Sequence, residues 1–81
     1  MASDTGATLG ECLKAARDRA GLTHAEAAKA IGISQGNVSD YERGAGKNTN
    51  PTLGMLVRFA AAYGTTVSKM LKAYQPGTKG E

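Results

Sequence analysis

The chain has 81 residues, one cysteine and one histidine, enough for one small domain with a modest core, and a single cysteine cannot close an internal disulfide. A lone histidine with no partner cluster argues against a structural metal site, and no segment approaches the ~18 apolar residues of a membrane span. The formal net charge of +3 permits contact with a polyanion without establishing it.

The opening stretch MASDTGATLG has neither the basic start nor the apolar run of a secretory leader, and residues 1–8 are expected to form a flexible arm. Apolar residues then recur at helical rather than strand spacing. Leu9, Cys12, Leu13, Ala16 and Ala20 line one face of a first helix closed by Gly21, with Cys12 as a buried thiol. In THAE, Thr23 and Glu26 stand three apart as a capping box. The second helix that it opens turns Ala27, Ala28 and Ile31 inward and stops at Gly32, a left-handed C-cap residue. Ile33 plugs the turn, and Ser34 caps a third helix from Gln35 to about Arg43, ended by Gly44. GAGKNTNP, rich in Gly and Asn and closed by Pro51, is the one real loop. Thr52 caps a fourth helix with Leu53, Leu56, Val57, Ala60 and Tyr63 as its expected inward face and Gly64 at its end. Thr66 caps a shorter fifth helix holding Val67, Met70, Leu71 and Tyr74, and residues 75–81 form a polar tail expected to be disordered. Short helices joined by tight turns make an all-α, compact five-helix bundle over residues 9–74.

Formal matches to chemical motifs fail on context. GAGK would need an earlier glycine where Tyr41 stands, is followed by Asn48 and comes after a helix instead of a strand, so it is not a nucleotide loop. Asn37-Val38-Ser39 spells a glycosylation acceptor without any route to the secretory pathway. One histidine, no paired carboxylates and no partner for Cys12 leave no nucleophile–base couple. No enzyme is expected.

The third helix, QGNVSDYER, is the unusual one. A helix kept only for solubility would use Glu, Lys and Ala where this one has small polar residues. The short connection from Gly32 to Ser34 sets two helices at a steep angle, which is a helix-turn-helix unit. Val38 and Tyr41 fix the helix to its neighbours, and the opposite face presents Gln35, Ser39 and Arg43, flanked by Gly36, Asn37 and Asp40. Bases display paired donors and acceptors in the major groove, and amide side chains match them. Gly36 would allow close approach of the helix to the sugar–phosphate wall. Six basic residues run from Arg43 to Lys79, and the only acid beyond Arg43 is Glu81.

From Leu9 to Leu71 the chain resembles the Cro and phage-repressor type of helix-turn-helix domain, often called XRE-like. The resemblance is carried by LTHAEAAKAIGISQGNVSDYERG and NPTLGMLVRFAAAYGTTVSKML, with Ala28, Ile31, Gly32, Ile33, Val38 and Tyr41 at the family's core positions. It implies a transcriptional regulator, by expectation a repressor, that binds double-stranded DNA with the third helix in the major groove. Gln35 and Gly36 match base-reading positions, and Asp40 stands where many members have Gln or Arg; with Ser39 they form the expected base-reading set. His24 takes the place of a Gln that often holds a phosphate in the family. Ser34, Asn37, Arg43, Lys47 and Asn48 are expected beside it at the DNA backbone, the last two in a loop longer than is usual for the family. Arg17 and Glu42 match a pair used as a partly buried salt bridge between the third and first helices.

No cofactor or metal is implied, and the expected location is the cytoplasm, at the nucleoid. The expected assembly is a monomer or a weak homodimer on a pseudo-palindromic site, touching through the end of the fourth helix, the fifth helix or the GAGKNTNP loop. Two alternatives stay open. Gly36 and Asp40 suit an antitoxin-like protein-interaction module with weak DNA binding, and the chain also reads as the N-terminal half of a longer regulator.

Overall fold

Every helix begins at a hydroxyl that takes up a backbone N–H left free by the first turn. The computed structural model describes residues 8–44, 51–72 and 74. The expected arm (apart from Thr8), Lys47 and Asn48 of the loop, and the expected tail lie outside the described residues. Thr8 caps α1 (Leu9–Ala20) and Thr23 caps α2 (His24–Ile31), each in a reciprocal capping box with Glu11 and Glu26. Ser34 caps α3 (Gln35–Arg43), Thr52 caps α4 (Leu53–Ala62) and Thr66 caps α5 (Val67–Met70). A cap of this kind contributes about 1 kcal/mol. In helices this short, propensity alone is marginal and packing must supply the rest.

The packing centres on Phe59. Its ring is fully buried, as are Leu13 of α1 and Val38 of α3. Tyr41 meets Phe59 edge to face with centroids 5.3 Å apart, and Tyr63 lies tilted at 5.9 Å. Aromatic pairs at this spacing add about 0.5–1.5 kcal/mol beyond the area they bury. The contact of Tyr41 with Phe59 attaches α3 to α4.

This centre corrects the face expected for α4. Phe59, Ala60 and Tyr63 are buried with Met55 and Leu56 packed beside them, whereas Leu53 is 70% exposed and Val57 52% exposed. LGMLVRFAAAY is apolar almost all round, so two stripes turned slightly about the axis satisfy the same helical period. The bulky ring takes the interior, and Leu53 and Val57 swing outward. Ala20, expected to face inward, is also exposed, because the last turn of α1 borders an open cleft of about 250 Å³ shared with Tyr63, Gly64 and Thr65. The fifth helix stops at Met70. Leu71 and Lys72 form a turn, and the Tyr74 amide donates to the Leu71 carbonyl at 2.9 Å.

Two glycines set how α3 sits. Gly32 ends α2 with φ 91°, a left-handed conformation in which its amide donates to the Ala28 carbonyl at 2.8 Å. Arg58 of α4 reaches this turn, its Nη2 donating to the Ile31 carbonyl at 2.9 Å. Gly10, in the first turn of α1, runs so close to the end of α3 that a Cβ there would lie 2.1 Å from the Glu42 carbonyl oxygen. The backbone of α1 is thus a wall against which α3 rests.

Tyr63 carries a pH dependence. It is 6% exposed, and its hydroxyl has no hydrogen-bond partner among the described residues. Burial pushes the phenol up to about 12; Glu42 adds to the rise and Arg17 opposes it. Between its ordinary value of about 10 and about 12, the unfolded chain releases a proton that the folded chain keeps. Stability therefore falls with rising pH across that window, by on the order of 2 kcal/mol, and is unaffected below it. Tyr63→Phe should lose less stability above about pH 10 than the parent, and should match or exceed it at neutral pH, where an unsatisfied buried hydroxyl has been removed. Urea denaturation across this range checks it, and parallel losses in both proteins would refute the buried-phenol account.

Candidate nucleic-acid interface

The inner side of α3 is anchored by fully buried Val38 and half-buried Tyr41. Its other side leaves Gln35, Gly36 and Arg43 exposed and Asn37, Ser39 and Asp40 half-buried. A Cβ on Gly36 would meet nothing nearer than the Ser34 Oγ at 4.0 Å. No internal packing requires glycine there, in contrast to Gly10. The Ser34 hydroxyl accepts the Asn37 amide at 3.1 Å, so its oxygen serves the cap while its proton remains available.

Asp40 and Arg43 are not independent. Arg43 Nη2 donates to Asp40 Oδ1 at 2.7 Å, with side chains 64% and 31% exposed respectively. An exposed pair of this kind holds by about 1 kcal/mol or less. Asp40, expected among the base-reading residues, and Arg43, expected at the DNA backbone, thus form one neutral unit. A polyanion can open it at little cost.

Arg17 and Glu42 form a very different pair. Their side chains are 8% and 5% exposed. Arg17 Nε donates to Glu42 Oε2 at 2.6 Å and Nη2 to Oε1 at 3.2 Å, while Nη1 donates to the Leu22 carbonyl at 2.8 Å. The hydrogen bond to Glu42 pushes the guanidinium up from its already high value, against the opposing effect of burial. One side chain of α1 thereby holds both the turn into α2 and the last turn of α3. His24, the first residue of α2, joins them: its Nε2 lies 3.0 Å from Glu42 Oε1, with the side chain still 39% exposed. Nothing in the sequence places His24 beside Glu42, which is 18 residues away. Arg58, which fastens the Gly32 turn, carries no sequence signal either.

Another cleft, of about 540 Å³, lies elsewhere. It is lined by Glu11, Cys12, Ala15, Arg19, Lys69, Met70 and Lys72, with no residue from α2 or α3. Burial, then Glu11, pushes the Cys12 thiol up from its ordinary value, which keeps it protonated and unreactive. Among the described residues no group of three or more His, Cys, Asp or Glu could hold a metal ion. No helix among them is long and apolar enough to cross a membrane.

Residues 8–71 match the family described as a helix-turn-helix domain. Among solved structures, the clp gene regulator ClgR from C. glutamicum is 31% identical, with 80% of each chain covered and a TM-score of 0.73. The DNA-binding domain of the P22 C2 repressor is 26% identical at a TM-score of 0.73, covering 86% of this chain and 87% of that one. Hydroxypropylphosphonic acid epoxidase from S. wedmorenis is 28% identical at a TM-score of 0.68, and the match spans 85% of this chain but only 36% of the epoxidase chain. No curated protein matches the chain.

The buried pair makes a direct prediction. Glu42→Ala leaves a desolvated guanidinium without its carboxylate and should cost about 3 kcal/mol. Replacing both partners, as Arg17→Met with Glu42→Leu, should recover much of that loss, because no unpaired charge remains buried. Chemical denaturation of the three proteins measures both effects. An unchanged melting temperature for Glu42→Ala would show that the pair does not hold α3 in place.

Proposed function

The chain belongs to the helix-turn-helix family, and on that premise we propose that it is a sequence-specific, double-stranded DNA-binding regulator of transcription, acting as a repressor with α3 in the major groove. The observation that carries this reading is the outer face of α3. There a glycine with open space around it sits among Gln35, Asn37 and Ser39 on a helix whose other face is locked into the core. Such a helix gives up intrinsic stability for short hydrogen-bonding groups and a close backbone approach. The likeness to the DNA-binding domain of the P22 C2 repressor supports the same reading.

Gln35 reads a base, with adenine as its best match through the N6 and N7 edge. Ser39 meets base edges, and Gly36 lets the helix approach the groove wall. Asp40 accepts from a cytosine amino group once Arg43 has been drawn to a phosphate. Arg43, His24, Ser34, Asn37, Lys47 and Asn48 hold the sugar–phosphate backbone, which positions the protein without specifying sequence. A weak homodimer would place two half-sites about 10 bp apart centre to centre. No catalytic step and no cofactor belong to this function.

Selection of bound sequences from a random duplex library defines the preferred site, and variants then separate reading from gripping. Gln35→Ala should cost about 1–3 kcal/mol on that site and relax preference at one base pair. Arg43→Ala should weaken all sequences similarly and lower the salt slope by about one. Equal, sequence-independent losses in both would mean that α3 does not read bases, and would favour a protein-interaction module. Gly36→Ala distinguishes fold from function: it should raise stability by up to about 1 kcal/mol through helix propensity while weakening duplex binding. Unimpaired binding by Gly36→Ala would show that the close approach does not occur.

A further inference from the structure

We infer that the hold of His24 on the DNA backbone is switched by a proton, because Glu42 occupies the ring nitrogen that a neutral histidine would use to donate. Glu42 is paired with the Arg17 guanidinium through both carboxylate oxygens, so it accepts hydrogen bonds and has none to give. His24 Nε2, 3.0 Å from Glu42 Oε1, therefore carries the hydrogen of that bond. Nδ1 is then decided by the charge of the ring. In the neutral imidazole it is a bare lone pair, which a phosphate oxygen repels; in the imidazolium it is a second N–H, which a phosphate oxygen accepts. A glutamine at this position would offer a donor at every pH. The histidine offers one only when protonated.

The surroundings make the proton count as new charge. Glu42 from α3 faces the ring, and Arg17 from α1 already neutralises that carboxylate. Tyr63 from α4 is sensitive to both charges and stays protonated up to about 12. On α2 itself, the Glu26 carboxylate accepts the Thr23 amide at 2.9 Å, and Arg58 of α4 is bound at the opposite end of the helix. The ring remains 39% exposed, so the bond to Glu42 does not seal it from a ligand. A phosphate brought to this edge favours the charged ring, and by linkage duplex binding takes up a proton. The switch rests on the proposed binding of DNA, with affinity high on the acid side and falling as pH rises.

The test needs no knowledge of the operator, because a phosphate contact is independent of sequence. Binding of a fluorescent random-sequence duplex is followed by anisotropy at low salt from about pH 5.5 to about pH 8.5, for the parent and for His24→Gln. Thermal melting confirms that both are folded. The parent should lose about tenfold in affinity across the range, and its salt slope should fall by about one. His24→Gln should stay flat, near the parent's acid-side affinity. His24 is the one histidine in the chain, so its ring-proton NMR signal is unambiguous, and added duplex should move its titration midpoint upward. Parallel curves for the two proteins, or an unmoved midpoint in the presence of bound duplex, overturn the switch and leave DNA binding intact. Failure of both proteins to bind duplex at any pH overturns the DNA reading, and the switch with it.

Discussion

The Arg17–Glu42 pair is the interaction on which the geometry of the domain depends. Removing two charges from water costs several kcal/mol per ion, and only close geometry with further hydrogen bonds offsets that. Both conditions are met: the fork of Arg17 spans the carboxylate, and its remaining donor holds the Leu22 carbonyl. The pair therefore fixes three things at once, namely α1, the turn into α2 and the C-terminal turn of α3. Gly10 makes this possible from the other side, because α1 approaches the Glu42 backbone more closely than any side chain would allow. An apolar pair of the same volume could equal its stability. It could not draw the first residue of α2 to the same carboxylate.

That rigidity explains how α3 tolerates its own composition. Gly36, Asn37, Ser39 and Asp40 give a helix of nine residues little reason to form alone. Val38 in the core and the edge-on contact of Tyr41 with Phe59 supply the order that the local sequence lacks. Local propensity and global fold disagree along one face of one helix, which is where a functional surface is expected in an otherwise self-consistent sequence.

The two ion pairs of α3 show how environment assigns roles to the same chemistry. Glu42 and Asp40 are both carboxylates on α3, and each is bound by an arginine. Buried, Glu42 is committed to the fold, since releasing it would strand a charge in a poorly solvated site. Exposed, Asp40 and Arg43 exchange each other for water or for a ligand at small cost. The proposed interface therefore has a fixed frame beneath an adjustable surface, and His24 touches the frame through one ring nitrogen while its side chain stays 39% exposed.

How much of this was legible in the sequence follows from the range of the forces. The caps at Thr23, Ser34, Thr52 and Thr66 were legible because a capping hydroxyl and the amide it accepts lie three residues apart, whereas Thr8, read as the end of the arm, proves to cap α1 in the same way. The Gly32 turn, and with it the helix-turn-helix resemblance, was local in the same way. The rotation of α4 was not. Its sequence is apolar on nearly every face, and only the aromatic contacts with Tyr41 decide that Phe59 is buried while Leu53 and Val57 face out. The closeness of Gly10 to Glu42, the grip of Arg58 on the Ile31 carbonyl and the bond between His24 and Glu42 join residues 18 or more apart. Neither helical periodicity nor capping reaches so far. The sequence by itself determined which segments become helices and which helix offers unusual side chains; the tertiary structure alone decided which charges are buried and which carboxylate the His24 ring meets, because burial and long-range hydrogen bonds exist only once the helices have packed.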